Sequence, residues 1–139
     1  MLSQTAEYAL RTVLFIAERG SARPVRVREI AAALRLPRNY LSKTLHRLAR
    51  AGILISSRGK HGGFQLAVPA NRLRLLGVVE LFDPIGVGRR CLLGRPVCSD
   101  RTACRAHERW KATGDAVAGF FRDTTVADLL DGDSRAATA

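Results

Sequence analysis

The three cysteines of this 139-residue chain all lie in one short segment, between Cys91 and His107, which has the sequence CLLGRPVCSDRTACRAH. Their spacing is C-x6-C-x5-C-x2-H, and the glycine and proline in the first half are typical of a loop. From about Thr102 the sequence becomes helical, which would place Cys104 and His107 on one face of a first helical turn. Thiolates and an imidazole so arranged are ligands that iron–sulfur clusters and soft or borderline metal ions prefer.

Other roles for these cysteines are less favoured. Arginine and aspartate flank them, a poor setting for buried thiols, and a disulfide would leave one thiol over in a chain with no visible export signal. A structural zinc site is a stronger alternative, because three cysteines and a histidine are a known zinc ligand set, but zinc sites usually use closer C-x2-4-C pairs. We therefore predict an iron–sulfur cluster first, a zinc site second and a switchable thiol pair third.

Positive charge is concentrated in the N-terminal half. Residues 1–75 contain 14 lysines and arginines against 3 acidic residues, whereas residues 76–139 contain 9 of each. An excess confined to one part of a chain indicates a polyanionic partner, most commonly nucleic acid. No segment approaches the roughly 20 apolar residues of a membrane span, and no basic amphipathic helix with bulky apolar anchors is present. We predict a soluble, cytoplasmic protein with no membrane partner.

The N-terminal half also carries the pattern of a winged helix-turn-helix. Two short amphipathic helices are joined by a tight turn, and the second is rich in arginine and lysine. A glycine-rich basic turn between two strands follows, which predicts a hairpin wing. Because this turn joins two strands and does not lead into a helix, it is not a nucleotide phosphate loop. The predicted elements are helices from Ser3 to Gly20, Arg28 to Leu34 and Pro37 to Ala51, and strands at 53–57 and 64–66.

The C-terminal half adds a long helix with an apolar face. This face comprises Trp110, Val117, Phe120 and Phe121, and a small winged domain cannot cover it alone, so we predict that a homodimer buries it. The predicted fold class is mainly α with a small β-hairpin wing. We predict four divisions. The winged DNA-binding domain covers 1–82 and ends with a fourth helix from Leu75 to Phe82, and a cysteine-rich loop covers 83–103. Residues 104–130 contain the dimerisation helix and a short helix from Val126 to Leu130, and 131–139 form a disordered tail.

Four segments are shared with a known family. They are Thr5-Ala6-Glu7-Tyr8-Ala9-Leu10-Arg11, Leu36-Pro37 through Leu48 and Gly52, Arg58-Gly59 with Gly62-Gly63-Phe64, and the three cysteines before the long helix. On these segments the chain resembles the Rrf-type family of bacterial winged-helix transcriptional regulators over nearly its entire length. The resemblance implies a homodimer that binds a roughly palindromic double-stranded DNA operator, with the long helix forming much of the dimer contact.

The resemblance also implies a ligand set. Cys91, Cys98 and Cys104 match the cluster thiolates of the family. Some members add a histidine three residues after the last cysteine, which His107 matches and which goes with a 2Fe–2S cluster. Others use an acidic residue in the first helix of the partner subunit, and Glu7 occupies that place. We predict His107 and a 2Fe–2S cluster, with Glu7 as the alternative ligand and a 4Fe–4S cluster as the alternative cofactor.

The predicted DNA contacts come from the third helix and the wing. Side chains in the early turns of that helix can reach major-groove edges or flanking phosphates. Arg58 matches a wing arginine that enters the minor groove in relatives, where a narrow groove attracts a guanidinium, and Lys60 and His61 are expected at phosphates. The predicted helix contacts are Arg38, Asn39, Tyr40, Ser42 and Lys43.

The predicted function is a repressor that senses iron, nitric oxide or redox state. Gain, loss or damage of the cluster would reorder the loop between the DNA-binding part and the dimer helix, and so change the placement of the two recognition helices. An alternative function, of a different class, is that of a cysteine-dependent enzyme with Cys104 as nucleophile and His107 as base. The sequence shows no acid or amide that would orient this histidine, so we predict no enzymatic activity.

Overall fold

The computed structural model describes residues 2–20, 22–85 and 91–136, with backbone alone from residue 132 onward. Residues 86–90, within the predicted cysteine-rich segment, and residues 137–139, at the end of the predicted tail, lie outside the described residues. The mainly helical fold with a hairpin wing is confirmed. The elements are α1 Gln4–Arg19, α2 Val27–Leu34, α3 Arg38–Arg50, β1 Leu54–Ser57, β2 Gly63–Leu66, α4 Leu75–Val79, α5 His107–Asp123 and α6 Val126–Ala136.

Helices α1, α2 and α3 pack around one apolar core. The Ser3 hydroxyl caps α1 by accepting a hydrogen bond from the Ala6 backbone N–H at 3.1 Å, which satisfies a donor that the first turn leaves free. Arg35 ends α2 in the left-handed conformation, with φ 55°, so the chain turns sharply into α3. Helix α3 buries Leu41, Leu45 and Leu48, which recur at helical spacing along the sequence. Helix α2 buries Ile30 and Ala31, whereas Ala33, which periodicity also favours, is exposed.

The wing is a two-stranded antiparallel sheet anchored to the link between α1 and α2. Leu54 pairs with Leu66 and Ser57 with Gly63. The backbone N–H groups of Val25 and Phe64 each donate to the other residue's carbonyl, at 2.9 and 2.8 Å. Gly63, with φ 147°, permits this approach, because a Cβ there would overlap the Val25 backbone. The link is therefore held directly beside the base of the wing.

Helices α5 and α6 fold back onto the N-terminal domain. The Leu75 N–H donates to the Thr124 carbonyl at 2.9 Å, and the Val126 N–H donates to the Leu73 carbonyl at 2.8 Å. Phe121 is buried in the main core, which corrects its predicted place on the exposed dimer face, because the return of α5 covers it with the chain's own residues. Phe120 and Trp110 remain exposed.

The predicted fourth helix ends earlier than expected, at Val79 and not at Phe82, and the start of α5 and the end of α6 differ from the predictions by more. Helix α5 begins at His107 and not near Thr102, since the preceding residues form a separate 3₁₀ turn, Asp100–Thr102, that ends at the extended Ala103 (ψ 131°). Cys104 therefore precedes the helix. Helix α6 continues to Ala136, beyond the expected end at Leu130, because a single glycine weakens a helix without ending it. Within the described part of the chain, no helix is both long and apolar enough to cross a membrane.

Candidate functional site

The early turns of α3 present most of the predicted DNA contacts to solvent. Arg38, Asn39 and Lys43 are exposed, and Ser42 is half-buried. Tyr40 is placed differently, because its hydroxyl donates to Thr5 Oγ1 at 2.6 Å and its ring packs edge-on against a tyrosine of α1. These contacts direct Tyr40 into the domain, where it fixes α3 on α1.

The wing and α3 share one groove. Arg58 and Lys60 at the wing tip line it together with Arg38 of α3. The tip is closed by a hydrogen bond from the Gly62 N–H to the Gly59 carbonyl at 3.0 Å. Three predicted contacts from two separate segments of the chain thus meet on one basic surface.

The same surface contains basic residues that sequence reasoning missed. Arg26 and Arg28, from the start of α2, and His46 of α3 also line the groove. His61 lies on a neighbouring concavity with Arg23 and with both of these arginines. The alternating basic residues of the link from Arg23 to Arg28 were a usable signal, but only the pairing of Val25 with the wing brings them to this face.

The cysteine loop, residues 91–106, brings the predicted ligands together in two pairs. Cys91 Sγ lies 3.9 Å from Cys104 Sγ. Cys98 Sγ lies 3.5 Å from Nδ1 of His107, and His107 is only 3% exposed. Each pair joins a residue of the loop's first half to one near the start of α5, so the loop folds back on itself.

A tight turn shapes the Cys91 side of the loop. The Gly94 N–H donates to the Cys91 carbonyl at 3.0 Å, and Gly94 has φ 79°, a conformation that favours glycine. Backbone hydrogen bonds from Arg95 and then Leu93 lower the pKa of the Cys91 thiol. The loop therefore stabilises the thiolate, the form that binds metal and reacts with oxidants.

His107 is oriented by an acid, which corrects the sequence-based expectation that none was available. Its Nε2 lies 2.8 Å from Oδ1 of Asp100. Lys111, one turn later on α5, holds the two oxygens of the same carboxylate at 3.1 and 3.3 Å. The hydrogen bond from His107 and then that from Lys111 lower the pKa of Asp100, and Asp100 in turn raises the pKa of Lys111.

The spacing of the donor atoms fits tetrahedral metal coordination. With metal–sulfur bonds of about 2.3 Å and metal–nitrogen bonds of about 2.0–2.1 Å, two sulfurs on one metal lie about 3.8 Å apart, and a sulfur and a nitrogen about 3.6 Å. The distances of 3.9 and 3.5 Å match these edges. Among the described residues, the one trio of possible ligands with all its donor atoms within 4.8 Å of one another is Asp100, His107 and Glu108. The two pairs therefore do not converge on a single point.

The alternative fourth ligand lies elsewhere in the chain. Glu7 is exposed in the first turn of α1. His107 directly follows the cysteine loop of the same chain, so the two candidates differ in which chain would supply them.

The helix-turn-helix, the paired wing and the continuous basic groove define the class: this is a winged-helix DNA-binding protein. Comparison with known proteins gives the family. The family model named Rrf2, described as an iron-dependent transcriptional regulator, matches residues 2–132. The chain belongs to the Rrf2 family of transcriptional regulators, and it is a DNA-binding regulator and not an enzyme.

Individual relatives agree with this assignment. The chain is 32% identical over 133 residues to an HTH-type transcriptional regulator of Aquifex aeolicus, covering 94% of this chain and 92% of the relative. Its fold is similar to that of CymR, the global cysteine regulator of B. subtilis, with a TM-score of 0.78, 24% identity and coverage of 93% and 95%. It is also similar to IscR of T. potens, with a TM-score of 0.80, 19% identity and coverage of 100% and 92%.

Proposed function

We propose that this protein is a homodimeric, cluster-sensing repressor that carries a 2Fe–2S cluster on Cys91, Cys98, Cys104 and His107. The observation that carries the proposal is the arrangement of the four donors in two separate pairs, each with the edge length of two ligands on one metal atom. A single zinc ion needs all four donors around one point, whereas a binuclear cluster takes two ligands on each iron. Bound there, the cluster supplies a redox- and iron-sensitive centre.

In this proposal the cluster acts on the DNA-binding domain through α5. His107 is the first residue of α5. At the other end of that helix, Arg74 donates to the carbonyl groups of Arg122 and Asp123 at 3.3 and 3.5 Å, and Leu75 donates to Thr124. A change at the ligands would therefore move a helix that is attached to the winged domain. Such a change shifts DNA binding only insofar as the cluster prefers one arrangement over the other.

The basic groove is proposed as the operator surface, with Arg38, Asn39, Ser42 and Lys43 at major-groove edges or phosphates and Arg58 at the minor groove. Lys60 and His61, joined by Arg26 and Arg28, are proposed as phosphate contacts. Two such surfaces in a dimer suit a palindromic operator. The exposed Phe120 and Trp110 of α5 support dimerisation through that helix, and sedimentation equilibrium would contradict this if it gave the mass of one chain.

The test of the cofactor is the content of iron, acid-labile sulfide and zinc per subunit in protein purified without oxygen. We expect iron and sulfide in equal amounts, two of each per subunit for a 2Fe–2S cluster. Cys98→Ala should lose both and change operator affinity or its response to oxidants, while Glu7→Gln should retain the cluster. Zinc without sulfide, or cluster loss in Glu7→Gln with retention in His107→Ala, would contradict the proposed site.

A second candidate is a thiol switch without a cluster. It is favoured by the 3.9 Å separation of Cys91 and Cys104 together with the lowered pKa of Cys91. In this case the purified protein would contain neither iron nor zinc. Hydrogen peroxide, a two-electron oxidant, would join these two thiols in a disulfide while itself being reduced to water, and peptide mapping after alkylation would identify the bond.

A further inference from the structure

The side chains around His107 also bear on which of its two ring nitrogens carries a proton. Its ring is almost fully buried, yet both nitrogens have polar neighbours, Cys98 Sγ at Nδ1 and Asp100 Oδ1 at Nε2. An ionised carboxylate can only accept a hydrogen bond, so the proton must lie on Nε2. In the neutral tautomer that this contact selects, the lone pair is at Nδ1, towards Cys98.

Asp100 is itself held in place for this contact. Ser99 caps the 3₁₀ turn that begins at Asp100, with its hydroxyl accepting from the Thr102 N–H at 3.3 Å. Lys111 contacts both carboxylate oxygens from the second turn of α5. Helix α5 thus provides both His107 and Lys111, the cation that holds the Asp100 carboxylate beside the imidazole.

We propose that Asp100, anchored by Lys111, is a positioning residue that holds the His107 ring so that Nδ1, and not Nε2, is its metal-binding atom. Carboxylates that accept from the second nitrogen of a ligating histidine fix its tautomer and strengthen it as a ligand. The inference rests on the proposed metal site, but it concerns contacts between this chain's own side chains. It therefore holds for the metal-free protein as well.

The first experiment uses reduced, metal-free protein and proton NMR of the imidazole N–H groups. An imidazole N–H that is buried and hydrogen-bonded exchanges slowly enough to be observed. We expect one such signal, correlated with Nε2 of His107, and its loss in Asp100→Ala. The other two histidines, His46 and His61, are exposed and should give none. A signal on Nδ1, or one unchanged in Asp100→Ala, would overturn the proposal.

The second experiment measures Co²⁺ affinity of the metal-free protein by competition, with thiolate-to-cobalt absorption as the signal. Loss of such a partner typically costs 10–100-fold in metal affinity, so Asp100→Ala should bind cobalt about 10–100-fold more weakly. Lys111→Met should show a smaller loss in the same direction. The Asp100 side chain is 71% exposed, so its removal leaves no cavity in the core.

Asp115→Asn is the matched control. Asp115 lies two turns beyond His107 on α5, and, with Asp100, its charge raises the pKa of Lys111. The variant therefore removes a negative charge from the same neighbourhood without removing one of the possible ligands. We expect near-parental cobalt affinity and a retained Nε2–H signal. Equal losses in Asp115→Asn and Asp100→Ala would mean that charge alone acts, and would overturn the positioning role.

These outcomes separate the inference from the proposed cofactor. Protein that contains no iron or sulfide, but loses the Nε2–H signal and cobalt affinity in Asp100→Ala, would support the positioning role and refute the cluster. Protein with iron and sulfide in which Asp100→Ala matches the parent in both measurements would refute the positioning role alone.

Discussion

The winged domain and the cysteine loop are held together by different forces. In the winged domain, apolar side chains such as Ile30, Leu45 and Val78 are completely buried. In the loop, Leu92, Leu93 and Val97 are 56–63% exposed, and order comes from a glycine turn, backbone hydrogen bonds and the Lys111–Asp100–His107 contacts. The winged domain is therefore stabilised mainly by apolar burial, whereas the loop depends on a few polar contacts and on whatever its thiols bind. DNA binding requires one stable conformation, whereas a segment that responds to a ligand needs a conformation that the ligand can change.

The largest expected effect is on the free energy of unfolding, and it distinguishes a leucine in the core from a leucine in the loop. Leu45→Ala should lower the free energy of unfolding by about 2–5 kcal/mol, because it leaves a cavity in the core. Leu93→Ala should change it by less than about 0.5 kcal/mol, as for other exposed positions. Urea denaturation of the metal-free proteins, followed by circular dichroism, measures both. Similar losses in the two variants would show that the loop belongs to the same cooperative unit.

The next largest expected effect is on operator affinity, and it distinguishes an arginine of the wing from an arginine of the cysteine loop. Arg58→Ala should weaken operator binding by on the order of 1–3 kcal/mol, about 5- to 150-fold, through loss of a groove contact. Arg101→Ala removes the same charge from an exposed position of the 3₁₀ turn and should leave affinity nearly unchanged. Fluorescence anisotropy at one fixed salt concentration, with an operator selected from random duplexes, provides the measurement. Parental affinity in Arg58→Ala would contradict the role of the wing.

The smallest expected effect is on the pH dependence of stability, and it arises at the start of α6. Thr125 and Asp128 form a reciprocal cap, with the Thr125 N–H donating to Asp128 Oδ2 at 2.8 Å and the Asp128 N–H donating to Thr125 Oγ1 at 3.2 Å. The backbone and then the hydroxyl of Thr125 lower the pKa of Asp128. Its stabilising effect is therefore full above the ordinary aspartate pKa and is lost as pH falls through the lowered value.

Thermal unfolding of the parent and of Asp128→Asn over a range of pH tests this. The parent should be slightly more stable near neutral pH, and the difference should shrink as the solution becomes acidic. A difference that does not depend on pH would indicate that the charge of Asp128 contributes nothing. Because α6 packs on α1, the effect would belong to the winged domain and not to the cysteine loop.

The local elements were predictable because each leaves a pattern along the chain. Helical spacing gave α3 and its buried leucines, the glycine-rich turn gave the wing, and the uneven charge gave the nucleic-acid partner. The spacing of cysteines and histidine identified the candidate ligands. The boundary of α5 was not predictable, because the extended Ala103 between the 3₁₀ turn and α5 has no periodic signal.

What the sequence by itself determined is the class of protein, since periodicity and charge are properties of neighbouring residues. Only the tertiary structure decided which residues from distant segments meet. It turned Tyr40 inward onto Thr5, brought Arg26 beside the wing, buried Phe121 and set Asp100 against His107. Such contacts depend on turns and on the return path of the chain, where a few backbone angles fix the position of a side chain, and no repeat in the sequence encodes them.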